Sequence, residues 1–349
     1  MNYYLKESIL YTYNQKNAGN KARDDVNAIL ASLHYSPISV SIKEDTIEPL
    51  GKRAHFYKYR IFKKAFSPLK SGDNLLIQFP IINHTIFFSR VLKQLRKKGI
   101  KVFVLIHDLE SLRFANDKRH LSLKHRLRLW LQEMTVLKNA DRIIVHNDKM
   151  KAVLIQKKID AQKLSSLDIF DYLIPKYKGG KIATVAKDLP LVIAGNLAAE
   201  KSGFLYHLPK TPQFNLYGVG YDDQNTANIS YKGSFFPDEL PFHLSGSFGL
   251  VWDGPSADTC TGMFGDYLRF NNSHKASLYL ASGLPVIVWS ESALADFVKK
   301  NHCGISVSSL FELDEKMRQL SEKDYQVLLQ GAKKIGQSIR AGLFLKKQL

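Results

Sequence analysis

The chain has 349 residues, of which 45% are hydrophobic, and this length suits two domains that each bury their own core. No apolar run reaches the roughly 18 residues that span a bilayer, and the first ten residues lack the basic and apolar regions of a signal peptide. The two cysteines, Cys260 and Cys303, lack the spacing of a disulfide framework or a zinc site. We therefore expect a cytoplasmic protein.

The formal net charge of +18 is spread unevenly along the chain: residues 1–178 contribute +17 and residues 179–349 only +1. Such a field attracts nucleic acid, an anionic membrane surface or an anionic substrate. No helix-turn-helix, zinc-finger, RRM or KH signature accompanies the charge, so we do not expect nucleic acid. The sequence favours an anionic membrane surface, and a basic face that is merely solvated is the alternative.

The first half opens as a Rossmann-like domain does, with a strand, a loop of small residues and a helix. Residues 3–12 predict the strand, residues 12–21 the loop, and Val26, Ile29 and Leu30 the apolar face of the helix. The loop does not match G-x-G-x-x-G, so it does not predict a dinucleotide site.

The rest of the first half alternates between strands and helices. We predict strands over residues 37–42, 73–79, 100–106 and 141–146, helices over 52–66, 84–98, 118–139 and 147–158, and a closing segment over 163–174. The helices at 52–66 and 118–139 interleave Lys and Arg with aromatic or aliphatic residues. This composition suits a helix at a membrane interface, and for 52–66 it suits equally a core helix with a solvated face.

Residues 100–106, IKVFVLI, are the clearest buried parallel strand in the chain. This strand would bring His107, Asp108 and Glu110 to the carboxyl edge of the sheet, where active-site loops collect. A carboxylate or imidazole there can accept a proton from a substrate.

The second half restarts the alternation after a hydrophilic hinge at residues 175–180. We predict strands over residues 189–194, 214–217, 229–233 and 248–252, a helix that opens at 290–293 and a basic helical terminus over 324–349. The first of these strands delivers Asn196, with Lys201 at the start of the next helix, and the last delivers Asp253.

The stretch from Gly262 to Ser290 organises the second half. Its residues 271–282 predict a helix, Gly283 a C-cap, and residues 286–289 a buried strand. His274 and Lys275 lie near the helix start, where unpaired N–H groups and the helix dipole favour an anion. A positive helix start beside a lysine predicts a phosphate site.

This stretch resembles the donor-site signature of a bacterial glycosyltransferase family. The family includes β-1,6-galactofuranosyltransferases of surface-polysaccharide assembly, such as that of O-antigen, and glucosyltransferases that extend glycans on serine-rich streptococcal adhesins. The resemblance extends over nearly the whole chain and includes the segment that begins at His107. The residues that carry the signature are Asp253-Gly254, Gly262, Gly265, Tyr267 to Asn272, His274-Lys275 and Tyr279 to Ile287.

The resemblance implies an α/β protein of the GT-B architecture, in which two Rossmann-like domains face a cleft. On this reading residues 1–178 form the basic, acceptor-side domain. Residues 179–325 form the domain that binds a UDP-sugar, and residues 326–349 a helical segment that packs back on the first domain.

Transfer with inversion requires a base that accepts the proton of the acceptor hydroxyl. Asp108 is the first choice, with His107 and Glu110 behind it. Two alternatives stay open: Asp108 caps the following turn, or Asp108-x-Glu110 imitates the Asp-x-Asp that holds Mg²⁺ in other glycosyltransferases. GT-B enzymes generally work without the ion, so we expect no metal and no other cofactor.

The resemblance also implies a set of donor contacts. Lys275, His274 and Lys201 would neutralise the leaving diphosphate, although Lys201 could instead be a plain surface lysine. Tyr231 and Gly233 would lie near the uracil ring. The full set of donor contacts is Asn196, Lys201, Tyr217, Tyr231, Gly233, Asp253, Tyr267, Asn271, His274 and Lys275. On the acceptor side the candidates are Asn17, Gly19, Asn20 and Lys21, for which an ordinary βα turn is an equal alternative.

We therefore expect an inverting, metal-independent enzyme that moves a hexose, galactofuranose first and glucose second, from a UDP-sugar to a growing surface glycan. The acceptor would be linked to a lipid carrier at the inner face of the membrane. The alternatives are extension of O-glycans on a serine-rich adhesin, an epimerase or a retaining transferase on the same scaffold, and a non-catalytic protein that binds polyanions or membranes through a vestigial nucleotide pocket. The oligomeric state stays open, with a homo-oligomer among the alternatives.

Overall fold

The computed structural model describes residues 1–10, 19–43, 52–115, 122–222 and 227–349. These residues form two compact α/β units. The described part of unit 1 comprises residues 1–10, 26–43, 52–115, 122–167 and 348, and that of unit 2 comprises residues 19–25, 168–222, 227–347 and 349.

Unit 1 is built on a six-stranded parallel sheet with the strand order β2-β1-β3-β4-β5-β6. Its strands are β1 (Asn2–Leu10), β2 (Ser36–Lys43), β3 (Asn74–Phe79), β4 (Lys101–Ile106), β5 (Arg142–Val145) and β6 (Leu164–Ser166). The helices of this part of the chain are α1 (Lys21–Ser32), α2 (Lys52–Ala65), α3 (Phe88–Lys97), α4 (Glu110–Arg113), α5 (Leu123–Lys138) and α6 (Asp148–Gln156), with a 3₁₀ turn at Ala161–Lys163. The first residues of α1, up to Asp25, belong to unit 2.

Unit 2 repeats the plan with a second parallel sheet in the order β10-β9-β8-β12-β13-β14 and a two-stranded pair, β7 with β11. Its strands are β7 (Thr184–Val185), β8 (Leu191–Asn196), β9 (Phe214–Val219), β10 (Ile229–Tyr231), β11 (Ser245–Gly246), β12 (Gly249–Val251), β13 (Val286–Trp289) and β14 (Gly304–Val307). Its helices are α7 (Ala199–Ser202), α8 (Leu240–His243), α9 (Gly262–Tyr267), α10 (His274–Ala281), α11 (Leu294–Lys300), α12 (Leu313–Gln319), α13 (Glu322–Arg340) and α14 (Leu343–Lys346), with 3₁₀ turns at Gly203–His207 and Leu310–Glu312.

The strand order explains where a ligand can bind in unit 2. From β8 the chain steps outward to β9 and β10, and it then returns to β12 on the other side of β8 and continues to β13 and β14. Open parallel sheets bind ligands at the carboxyl ends of the strands, at the point where the order reverses. In unit 2 this switch point lies between β8 and β12.

Apolar runs that are buried on both faces fix the central strands, as parallel sheets require. All four residues of β13 are buried, as are the last three residues of β4. The core of unit 2 also contains two fully buried tryptophans, Trp252 and Trp289. The predictions for β4 and β13 are therefore confirmed to within one residue.

The predicted helix over residues 271–282 was wrong at its start. Helix α10 begins at His274, after a separate helix, α9. Asn272 leaves the helical path because its side-chain amide donates to the Asp168 carbonyl at 2.6 Å, and Ser273 has the extended conformation of an N-cap residue. His274 and Lys275 are consequently the first two residues of the helix.

Two other predicted segments differ from the structure. The segment over residues 163–174 contains only the three-residue strand β6. The predicted terminal helix over residues 324–349 divides into α13 and α14, because Gly342 has a left-handed conformation with φ of 70°. Across the described ranges we find no helix with the length and apolarity to cross a membrane.

Candidate active site

Lys275 and Asp253 form a nearly buried ion pair at the switch point of unit 2. Lys275 Nζ lies 2.8 Å from Asp253 Oδ1 and 3.1 Å from the Trp252 carbonyl, and the two side chains are 10% and 7% exposed. Asp253 follows β12, whereas a Cβ placed on Gly195 in β8 would lie 3.5 Å from Lys275 Cε. The structure therefore brings two signature positions, Asp253 and Lys275, together with Gly195 at one sheet edge.

The same edge is shaped by glycine, because two backbone segments approach closely there. Gly218 at the end of β9 has φ of +151°, and a Cβ on it would lie 1.8 Å from the Gly195 carbonyl oxygen. Gly254, directly after Asp253, has φ of +110°, and its Cβ would lie 2.3 Å from the Thr261 carbonyl oxygen. Side chains are excluded at both positions.

Helix α7 connects to the Asp253 loop through its backbone. The Gly254 amide donates to the Lys201 carbonyl at 2.8 Å, and the Lys201 ammonium lies 5.3 Å from the Phe264 ring centre. Asn196 has a local role in the same turn, since its side-chain oxygen accepts from the Ala198 amide at 2.9 Å. These contacts fix the start of α7 beside the carboxyl end of β8.

The predicted tyrosines fall into two groups. Tyr217 and Tyr267 are buried in the core of unit 2, and the Tyr217 hydroxyl accepts from the Ser245 amide at 3.1 Å. Tyr231 is 44% exposed, and its hydroxyl donates to the Gly218 carbonyl at 2.8 Å. Gly233, two residues later, has space around its Cα, since a Cβ there would meet no atom within 4 Å. Of the three tyrosines, Tyr231 has the surface to stack on a base.

Tyr221, which was not predicted from the sequence, extends this aromatic surface. Its ring centre lies 5.8 Å from that of Tyr231 and 6.4 Å from that of Tyr206. The three rings belong to different segments of unit 2, so no local pattern in the sequence links them.

His274 packs among aromatic rings. Its ring centre lies 5.1 Å from that of Tyr172 and 6.2 Å from that of Phe170. Burial lowers the pKa of His274 to about 4, against the opposing effect of the nearby Asp171 carbonyl. A neutral imidazole supplies no positive charge at pH 7, whereas the role predicted for His274 requires that charge. The donor contacts of His274, Lys275 and Lys201 stay predictions.

Asn271 has an orphaned acceptor just before α10. Its side-chain oxygen is buried and has no hydrogen-bond partner among the residues that the structure describes. A buried carbonyl without a donor costs free energy, and a ligand hydroxyl is one group that could satisfy it. This observation supports the prediction for Asn271, which was made from the signature alone.

Lys21, predicted on the acceptor side, is buried within unit 2 and contacts several acceptors there. Its ammonium lies 2.7 Å from Asp25 Oδ1, 2.6 Å from Asp238 Oδ1 and 2.8 Å from the Leu173 carbonyl, and it also lies over the Tyr172 ring. The ammonium donates hydrogen bonds to Asp25 and to the Leu173 carbonyl and forms an ion pair with Asp238, so a phosphate would have to compete with two carboxylates for it. Gly19 and Asn20 are exposed in the preceding turn, and Asn17 lies outside the described residues.

Unit 1 holds the predicted base at the carboxyl end of β4. Asp108 Oδ1 lies 2.6 Å from Arg113 Nη2, and the Asp108 side chain is 36% exposed. His107 Nε2 lies 2.8 Å from Gln78 Oε1, and Gln78 in turn donates to Asn27 at 2.8 Å. Helix α4 starts at Glu110, so the three candidates occupy one short loop and the helix that follows it.

Two buried titratable residues near this loop were missed from the sequence. His146 follows β5, and burial lowers its pKa to about 4 although the charge of Asp108 acts in the opposite direction. Glu133, on α5, accepts the Ser111 amide at 3.2 and 3.3 Å, and burial raises its pKa to about 7. His146 could have been found by the rule that selected His107, because both directly follow a buried strand. Glu133 gave no such signal.

Comparison with known proteins identifies the family. Residues 3–169 match the N-terminal domain, and residues 191–349 the C-terminal domain, of the family described as Glucosyltransferase 3-like. The chain is 31% identical over 356 residues to the β-1,6-galactofuranosyltransferase WbbI of Escherichia coli K12. The alignment covers 99% of this chain and 97% of that protein.

Solved structures share the fold at much lower identity. The sucrose-phosphate synthase of Thermosynechococcus elongatus superposes with a TM-score of 0.65 at 15% identity, covering 100% of this chain and 98% of that one. Anabaena HepE, solved in complex with UDP, gives a TM-score of 0.56 at 11% identity, with full coverage of both chains. These likenesses confirm the predicted α/β fold of the GT-B class. The two family matches and the similarity to WbbI establish that the chain belongs to the Glucosyltransferase 3-like family of glycosyltransferases.

Proposed function

We propose that the enzyme transfers a hexose from a UDP-sugar to a growing surface-polysaccharide glycan, with inversion and without a metal ion. The observation that carries this proposal is the Lys275–Asp253 pair at the switch point of unit 2. A cation beside a carboxylate suits a sugar nucleotide, because the cation can bind the diphosphate and the carboxylate can bind the sugar hydroxyls. Galactofuranose is the favoured sugar because of the full-length similarity to WbbI, and glucose is second because of the family match.

The proposal of a UDP-sugar donor rests on the chemistry of the site and on the ligand of a protein with the same fold. HepE, which shares the fold, was crystallised with UDP, and this supports a uridine diphosphate as the leaving group. Lys275 and Lys201 would stabilise the negative charge that UDP gains as the bond to the anomeric carbon breaks. Asp253 would orient sugar hydroxyls, and the orphaned oxygen of Asn271 would accept a further hydroxyl.

The chemical step needs one base. The acceptor hydroxyl would attack the anomeric carbon, the carbon–oxygen bond to the diphosphate would break, and Asp108 would receive the hydroxyl proton. Arg113 fixes one oxygen of Asp108 in a stable orientation, and the carboxylate keeps enough exposure to meet a hydroxyl. Positive charge from lysines would replace the Lewis acid that metal-dependent transferases use.

The acceptor is proposed to be a glycan on a lipid carrier at the inner face of the membrane. The support is the charge of +17 on residues 1–178, which suits an anionic membrane or an anionic acceptor. Extension of O-glycans on an adhesin is the second candidate, which follows from the resemblance described under sequence analysis; the family description supports glucosyl transfer only.

A screen of UDP-sugars for transfer and hydrolysis, with and without a chelator, tests the proposal. We expect Lys275→Ala to lower kcat/KM by about 100-fold or more, since removing one donor from a developing anion typically has an effect of this size. Lys300→Ala is the matched control, because Lys300 is an exposed lysine at the end of α11 in the same unit. Loss of activity in the chelator would contradict metal independence, and a protein that does not bind UDP in calorimetry would contradict the donor.

A further inference from the structure

Unit 1 contains a cavity that the mechanism above does not use. Its volume is about 650 Å³, and it is lined by residues of α2, α3 and α5 together with the segment after β3. This volume lies within the range of about 300–1,000 Å³ that is typical of pockets for small ligands. Its walls are largely apolar and include Phe79, Ile81, Phe88, Leu127, Leu131 and Val136.

The apolar lining continues onto the exposed face of α5. Leu123, Leu127 and Leu131 are 77%, 54% and 49% exposed, and they recur every four residues, so they lie on one side of the helix. Ile86, which also lines the cavity, is exposed as well. A contiguous apolar surface of this kind usually marks a binding site.

Cations accompany the apolar surface. Lys124 and Arg128 line the cavity and are exposed on α5, one residue away from each of the first two leucines in the stripe. The opposing carboxyl groups in the lining are Glu110 and Glu133, and burial raises the pKa of Glu133 to about 7, so that it is partly protonated at neutral pH. The exposed part of the lining is therefore positively charged.

The cavity borders the loop of the proposed base. Glu110 is part of its lining, and Glu110 lies two positions after Asp108 and starts α4. Glu133, also in the lining, accepts the amide of Ser111 in the same helix. A ligand in this cavity would thus lie next to the elements that hold Asp108.

We propose that this cavity binds the hydrocarbon chain of a lipid-linked acceptor, with the phosphate of that lipid at Lys124 and Arg128. The inference rests on the proposed function and specifies how its acceptor is held. A single chain fits a concave cavity, whereas a bilayer surface would lie on an outer face. A neutral apolar molecule would gain nothing from the two cations, and an anion without a chain would leave the leucines exposed.

Monomeric dodecyl phosphate is the probe for this site. Trp130 lies on α5, while the other two tryptophans of the chain, Trp252 and Trp289, are fully buried in unit 2. We expect saturable binding that changes Trp130 emission. We also expect decyl phosphate to bind roughly tenfold more weakly, because two methylene groups are removed from the buried chain. Neutral dodecyl maltoside should likewise bind at least tenfold more weakly.

Two pairs of variants locate the site. Leu127→Asp should weaken dodecyl phosphate binding at least tenfold, whereas Val327→Asp, at an exposed apolar position on α13 of unit 2, should not. Lys124→Glu should also weaken it, whereas Lys316→Glu on α12 should not. All four positions are exposed or partly exposed, and circular dichroism checks that each variant is folded.

Three outcomes would overturn the inference: no binding of monomeric dodecyl phosphate, whether or not the protein binds anionic vesicles; equal binding of dodecyl phosphate and dodecyl maltoside; or equal loss in the control variants. UDP binding to the unchanged protein, measured by calorimetry, tests the donor site separately. A protein that binds UDP but not dodecyl phosphate would refute the cavity and leave the donor proposal standing. The reverse result would refute the donor proposal alone.

Discussion

At the scale of single residues, the site combines an ion pair with a buried histidine. Lys275 and Asp253 form this ion pair at the carboxyl end of β12. His274 stays uncharged at neutral pH because burial lowers its pKa to about 4. If Lys275 and Lys201 bind the diphosphate as proposed, each of these lysines should therefore matter individually.

Asp108 provides the sharpest test of mechanism. We expect Asp108→Asn to lower kcat by about 100-fold or more, because an amide cannot accept the hydroxyl proton and general bases contribute about 10²–10⁴. Asp141→Asn is the matched control, since Asp141 is also an ion-paired aspartate of unit 1, bound to Arg96 at 3.0 Å. Turnover is measured with the UDP-sugar that the screen selects. Near-normal turnover in Asp108→Asn would favour a retaining reaction, in which this base is not needed.

Glu133 should make stability depend on pH. Burial raises its pKa from 4.5 to about 7, so the folded state binds the proton more tightly than the unfolded state does. The stabilising contribution is full below pH about 4.5 and is lost as the pH rises through about 7, at about 1.4 kcal/mol per pKa unit.

The measurement is urea denaturation of the wild type and Glu133→Gln between pH 5 and 8. The free energy of unfolding of the wild type should fall relative to that of the variant as the pH rises. Asp25 and Asp171, whose pKa values burial raises to about 6 and about 7, titrate in both proteins and cancel in the difference. A difference that does not change with pH would contradict the prediction.

At the scale of elements, the sequence predicted best where a local pattern decides the structure. The apolar runs of β4 and β13 predicted both strands because a buried parallel strand needs no other information. The start of α10 was missed because a contact that is distant in sequence, from Asn272 to the Asp168 carbonyl, ends the preceding turn. Glu133 and Tyr221 were missed for the same reason, since their partners lie on other elements.

The close approach of β8 and β9 should make Gly218 irreplaceable. We expect Gly218→Ala to destabilise the protein by about 3 kcal/mol or more, because the new Cβ would lie 1.8 Å from the Gly195 oxygen in a left-handed conformation. Gly179→Ala separates the two causes, because Gly179 has φ of +96° but open space around it, and this variant should lose only about 1 kcal/mol.

Urea denaturation followed by tryptophan fluorescence measures both variants, since unit 2 contains Trp252 and Trp289. Equal losses in the two variants would mean that the collision at Gly218 is relieved by movement of β8.

At the scale of the whole molecule, the sequence predicted the fold class, the family and the enzyme class, and all three are confirmed. These depend on a long signature and on the alternation of strands and helices, which the chain carries throughout. The domain boundaries at residues 178 and 325, the roles of the site residues and the membrane partner stay predictions. The site roles and the membrane partner depend on ligands and surfaces that no sequence pattern specifies, and the domain boundaries depend on contacts between segments that are distant in sequence.

Unit 2 is built from two separate parts of the chain, because the first turn of α1 belongs to it. Residues 19–25 belong to unit 2, although most of the rest of that unit starts only at Asp168. A fragment cut at that point would omit Lys21 and Asp25 together, which leaves both backbone groups of Leu173 without their partners and Asp238 without its cation. Anyone who wishes to express unit 2 by itself should therefore graft this short amino-terminal piece back onto it, or supply it as a separate peptide.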